Sequence, residues 1–70
     1  MKLKEDFSKE RLYMKLYRTH GFCKCGKWVG EDKLTLDHIL PISKAPEGFV
    51  YTIDDVQFLC GSCNSIKGAN

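Results

Sequence analysis

The sequence predicts a small α+β domain with an N-terminal helix, stapled through its cysteines. Three observations predict it. The chain has 70 residues, too few to be held comfortably by an apolar core alone, and natural domains of this size add disulfides, a metal or a partner. Four cysteines stand in two close pairs, Cys23 with Cys25 and Cys60 with Cys63, separated by 34 residues. The apolar pattern changes from helical spacing near the start to strand-like alternation in the middle. A composition 43% hydrophobic and 29% charged, without repeats or low-complexity tracts, is that of a folded protein. The expected organisation is one domain over 1–70, with a basic helix in 1–21 and a stapled core over 22–68.

Residues 6–19 read as the helix. Asp6 or Ser8 can cap it, and Gly21 stands where a glycine would end it. Leu12, Leu16 and either Phe7 or Tyr13 form its apolar stripe, which is a packing face. Residues 22–30 read as a tight turn between short extended segments. Lys33 to Ile39 alternates, with Leu34, Leu36 and His38 on one face, and reads as a strand closed by Pro41. Residues 42–50 carry proline and glycine and read as a loop. Tyr51 to Leu59 is ambiguous: Tyr51 and Thr52 favour a strand, Asp54 and Asp55 a helical turn. Cys60 to Lys67 reads as a second knuckle running into a short helix that Gly68 stops.

The net charge of +2 is unevenly spread: residues 1–30 hold eight Lys or Arg against three acids, and residues 31–70 hold three against six. A basic half beside an acidic half suits a chain that grips phosphates with one part and holds a cation with the other. Ordinary surface charge is the plainer reading. No stretch is apolar and long enough to span a membrane, and residues 1–10 lack the apolar run of a signal peptide. The expectation is a cytoplasmic chain without a membrane partner, in a reducing compartment where cysteines serve as metal ligands.

Two close cysteine pairs fit structural zinc, because each pair turns the chain back on itself around a tetrahedral ion. Gly26 and Gly61 follow the two hooks and ease the turns. Cys60-x-x-Cys63 has the usual spacing, whereas Cys23-x-Cys25 is one residue short. His20 could replace one cysteine, and a pair of disulfides is the alternative for all four. Four protein ligands leave zinc no open position, so chemistry must be sought elsewhere.

A second constellation carries that chemistry. It comprises Asp37-His38-Ile39-Leu40-Pro41, Ile53-Asp54-Asp55-Val56-Gln57-Phe58-Leu59-Cys60 and Cys63-Asn64-Ser65-Ile66-Lys67-Gly68. A carboxylate and an amide oxygen are hard ligands for magnesium or manganese. A histidine can take a proton from water near neutral pH, and a lysine can hold a phosphate. Singly, an Asp-His pair is usually structural and an asparagine a turn residue; the joint arrangement carries the weight.

From Phe22 to Gly68 the chain resembles the HNH endonuclease family, in particular its short zinc-containing members from phages and mobile elements. The family pattern is a cysteine hook, D-H-I-x-P, I-D-N-L-Q-x-L-C and x-x-C-N-x-x-K-G, in this order. The resemblance implies a treble-clef-like ββα-metal unit, two antiparallel strands and a helix around a catalytic ion, with the cysteines as its zinc staple. It further implies that His38 is the general base, that Asp37 and Asn64 bind a catalytic magnesium or manganese ion, and that DNA is cut to a 5′ phosphate and a 3′ hydroxyl. The family's middle Asn, whose side chain the resemblance implies braces the loop and helps orient the histidine, is Asp55 here. Aspartate can accept a hydrogen bond from the imidazole but cannot donate as an amide can, so reduced or retuned activity, rather than none, is expected. A regular strand through Asp37 and His38 would send the two side chains to opposite faces. For both to reach one site the strand is expected to twist or end near Asp37, ahead of Pro41, and a straight strand through both would count against the assignment.

The cations expected on DNA are Arg11, Lys15 and Arg18 on the first helix, Lys44 in the loop, and Lys67 one helical turn after Asn64. Trp28 could stack on a base, but in so small a domain it reads first as a core or zinc-flanking residue. The cytoplasm would be that of a bacterial or phage-infected cell. A homodimer or a larger phage or mobile-element assembly would give a way to cut both strands. The competing function is a catalytically silent zinc module that binds nucleic acid or a protein assembly.

Overall fold

Ser8, not Asp6, opens the first helix. In the computed structural model, which describes residues 3–68, the Ser8 side chain accepts a hydrogen bond from the Arg11 N–H at 3.2 Å. The helix α1 runs Lys9–Tyr17, with Arg18 at its C-cap. The predicted helix over 6–19 is thus shorter at both ends, and the basic segment 1–21 also holds a strand. That strand, β1 (Lys4–Asp6), is polar throughout and shows no apolar alternation, so periodicity could not find it. Leu12 and Leu16 of α1 are half-buried, whereas Tyr13 is 54% exposed and drops out of the stripe.

Three further strands follow: β2 (Thr35–His38), β3 (Val50–Thr52) and β4 (Val56–Leu59). The predicted strand at Lys33–Ile39 is confirmed in its second part, while Glu31–Lys33 forms a 3-10 turn. The predicted loop over 42–50 holds a 3-10 turn at Ile42–Lys44 and gives up Val50 to β3. Both readings of residues 51–59 hold in succession: strand to Thr52, a 3-10 turn at Ile53–Asp55, then strand again. The last element is the helix α2 (Gly61–Lys67), ended by Gly68 at φ 99°.

The described residues form two small sheets. β2 and β4 are antiparallel, with Asp37 opposite Gln57 and His38 opposite Val56. β1 and β3 are parallel, with Glu5 opposite Tyr51. The molecule is only 14 Å thick along its shortest axis, so its interior is thin. One buried cluster joins Cys23, Leu34, Leu59 and Cys60, with Leu16, Val29, Phe58 and Cys63 against it. Half of that buried set is cysteine, so the packing of this cluster depends on the cysteines being held together. Among the described residues, no helix is long and apolar enough to cross a membrane.

The turn after α1 depends on glycine. Gly21 adopts φ +86°, and a Cβ there would lie 2.6 Å from Trp28 Nε1 and 3.0 Å from the Gly30 Cα. The Gly21 carbonyl also accepts from the N–H groups of Val29 and Gly30 at 2.9 and 3.0 Å. Gly21→Ala should therefore cost more than about 1 kcal/mol, by backbone strain and displacement of Trp28, read as a lower melting temperature.

Candidate active site and metal centre

Two turns bring the cysteines together. In the first, Gly26 takes φ 95°, its N–H donates to the Cys23 carbonyl at 2.9 Å, and Phe22 bridges Trp28 on the flanks. In the second, Cys60 caps α2, its sulfur accepting from the Cys63 N–H at 3.5 Å. The Cys60 N–H donates to the Cys23 sulfur at 3.3 Å and ties the turns to each other. All four cysteines are free, and their sulfurs lie within 4.8 Å of one another. Tetrahedral zinc–thiolate bonds of about 2.3 Å place sulfurs about 3.8 Å apart, so the cluster is compatible with structural zinc. The backbone N–H groups of Cys25 and Cys60 pull the Cys23 thiol down to about 6, against its burial. The surrounding Cys25, Cys23 and Cys60 side chains push the Cys63 thiol up to about 12, with burial adding to the effect. A shared cation removes that conflict by stabilising every thiolate at once. His20 is exposed and lies outside the cluster; its carbonyl accepts from Trp28 Nε1 at 3.0 Å. Trp28 flanks the knuckle and is 61% exposed.

The second constellation sits at the end of β2, about which α2 and β1 close. Asp37 is fully buried. A buried carboxylate requires partners; Gln57 Nε2 donates to Oδ2 at 2.9 Å, and Lys67 Nζ lies 3.3 Å from Oδ1. Lys67 also donates to the His38 carbonyl at 3.0 Å, so one ammonium spans both residues. Asn64, on α2, donates from its amide to Thr35 Oγ1 at 2.8 Å. Thr35 and Asp37 share a strand face, so Asn64 and Lys67 reach the same side of β2. The His38 ring leaves on the other side. Its Nε2 is 2.9 Å from Glu5 Oε2, and it packs edge-on to Tyr51 at 4.6 Å between ring centres. The strand neither ends nor breaks at Asp37, as convergence of both side chains on one site would require: it continues through His38, and the two side chains leave on opposite faces with different partners.

Asp55 takes one of the two parts expected of it, bracing its loop, and not the other, orienting the histidine. Its carboxylate accepts from the Thr52 N–H at 2.8 Å and the Thr52 hydroxyl at 2.9 Å, closing the turn before β4, and does not reach the imidazole. Its backbone carbonyl accepts from the Ile39 N–H at 2.9 Å, which fixes the exit of β2. Both Thr52 groups are donors, so the brace needs only an acceptor, which aspartate supplies as well as asparagine. Those two hydrogen bonds hold the carboxyl below its usual 3.8. A depressed carboxylate contributes stability fully above its unfolded pKa and loses it as pH falls through the folded one. Asp55→Asn should therefore flatten the acid limb of a pH–melting profile below the ordinary carboxylate range.

The expected DNA-binding cations separate. Arg11, Lys15 and Arg18 line one open cleft of about 530 Å³ between α1 and the Ile53–Asp54 turn. Lys15 is committed there: its ammonium donates to the Ile53 and Val56 carbonyls at 2.5 and 2.6 Å, so it braces the fold. Arg11 and Arg18 are exposed, and so is Lys44 at the end of its 3-10 turn. Sequence reasoning missed Glu5 and the roles of Gln57 and Tyr51; only Gln57, inside the third motif segment, gave any signal.

A family model of HNH endonucleases matches residues 23–70, more than half of the chain. The chain belongs to the HNH endonuclease family. No curated protein and no solved structure matches it. The HNH match takes in all four cysteines, Asp37, His38, Asp55, Asn64 and Lys67, and leaves Glu5 and α1 outside.

Proposed function

We propose that this HNH protein is a metal-dependent DNA endonuclease and that β2, β4 and α2 form its ββα-metal unit. The observation that carries the reading is the fully buried Asp37 carboxylate at the end of β2, against Lys67 of α2, inside the family-matched stretch. Asp37 and the amide oxygen of Asn64 are hard donors suited to magnesium or manganese. Asp37 and Asn64 would hold such a divalent ion, which would supply Lewis-acid stabilisation of the charge that develops on the scissile phosphate and the leaving 3′ oxygen.

The chain's own residues do the rest. His38 takes a proton from water as the water oxygen attacks phosphorus; the phosphorus–O3′ bond breaks, and the 3′ oxygen regains a proton from solvent. The products are a 5′ phosphate and a 3′ hydroxyl. Gln57 holds the Asp37 carboxylate in place, and Lys67 brings positive charge to the strand end. Arg11, Arg18 and Lys44 are the exposed cations offered to the phosphate backbone. With no element that reads base edges, weak sequence preference is expected. The setting we infer is the cytoplasm of a bacterial or phage-infected cell, with DNA as partner and a second copy or a larger phage assembly as the route to double-strand cuts.

Supercoiled plasmid incubated with zinc-loaded, desalted protein tests the reading. Nicked circles should form on adding magnesium or manganese and not without them. Intact plasmid under every metal would leave the silent zinc module as the better reading.

A further inference from the structure

The strand β1 is puzzling as a piece of architecture. Its three residues are all exposed, so it adds no apolar area to the core, and it precedes the stretch that matches the family. It nonetheless pairs in register with β3, setting Glu5 beside Tyr51. Tyr51 is 1% exposed and is itself anchored, its hydroxyl donating to the Leu40 carbonyl at 2.7 Å. The His38 ring lies edge-on to Tyr51 with Nε2 at 2.9 Å from the Glu5 carboxylate. The ring is thus fixed on one flank by an immobile aromatic and at one nitrogen by an anion.

We propose that Glu5 is a positioning residue for His38. This rests on the nuclease reading above, in which His38 takes the proton from water. An ionised carboxylate only accepts hydrogen bonds, so Nε2 must carry the hydrogen. That selects one tautomer and leaves Nδ1 with the lone pair that receives the proton. Without the carboxylate both neutral tautomers are accessible, and the ring spends part of its time with the wrong nitrogen protonated. The polar strand β1 delivers that carboxylate to the His38 ring, where the Glu5 side chain is 34% exposed against 11% for His38.

Full-length protein labelled with 15N, as wild type, Glu5→Ala and Glu5→Gln, tests the assignment by ring nitrogen shifts and by plasmid nicking. In the wild type, the shifts should show the proton on Nε2. Glu5→Ala should show a mixture of tautomers and lose on the order of ten- to a hundredfold in kcat, with KM for DNA little changed. Glu5→Gln, whose amide oxygen still accepts from Nε2–H, should recover most of both. A merely structural ion pair would move the melting temperature and leave the tautomer alone. Glu5→Ala with wild-type ring shifts overturns the proposal. Because the shifts are read without substrate, they decide the Glu5 contact separately; a wild type that cleaves nothing defeats the nuclease reading instead.

Discussion

Cys60→Ser is expected to abolish cooperative unfolding, because it removes two things at once. Cys60 is 4% exposed and belongs to the buried cluster with Cys23, Leu34 and Leu59. It is also the residue whose N–H and sulfur tie the two cysteine turns to each other and to α2. Small cysteine sites gain about 10–16 kcal/mol from zinc, whereas whole domains are stable by about 5–15 kcal/mol. The staple is therefore comparable to the entire stability of the fold. Serine is a poor zinc ligand and leaves a polar hydroxyl in a place lined by sulfur and leucine. Circular dichroism on heating should show no sigmoidal transition for Cys60→Ser, and chelation of the wild type should give the same featureless trace. A cooperative melt surviving in both would mean that the apolar cluster holds the chain unaided.

The same dependence explains which parts of the fold were legible in the sequence. The cysteine pairs, Gly21, Gly68 and Ser8 act through local chemistry, a turn, a cap or a ligand, so their residue types announce them. The centre of the Lys33–Ile39 strand was legible because Leu34 and Leu36 alternate with polar neighbours. What stayed hidden depends on distant partners. β1 is polar and three residues long, and it is a strand only because β3 lies beside it, some 45 positions later. Lys15 looks like any helix-surface lysine until the carbonyls of Ile53 and Val56 are seen around it. The opposite faces of Asp37 and His38 were legible from strand alternation, but not the partners on each, Lys67 and Gln57 on one side and Glu5 and Tyr51 on the other. That split follows from the strand continuing through both residues, a fact of backbone pairing with Gln57 and Val56.

His38→Ala should reduce plasmid nicking by about two to four orders of magnitude while the zinc-stapled fold persists. The choice of residue matters. Asp37 is fully buried, and removing its carboxylate would take the acceptor from the Gln57 amide and the ion-pair partner from Lys67. Lost cleavage in an Asp37 variant would then report unfolding as readily as chemistry. His38 is a cleaner probe. Its ring contacts Tyr51 and Glu5, and the freed Glu5 carboxylate, 34% exposed, can turn to water. The structural cost should stay within about 1–3 kcal/mol, small beside the zinc contribution. None of the four cysteines depends on the His38 side chain for its position, so a metal held by them should be retained to the same extent as in the wild type. The measurement is therefore nicking rate at equal zinc content and equal folded fraction. A rate near wild type under those conditions would remove His38 from the reaction, and with it the proton acceptor on which the hydrolytic reading depends.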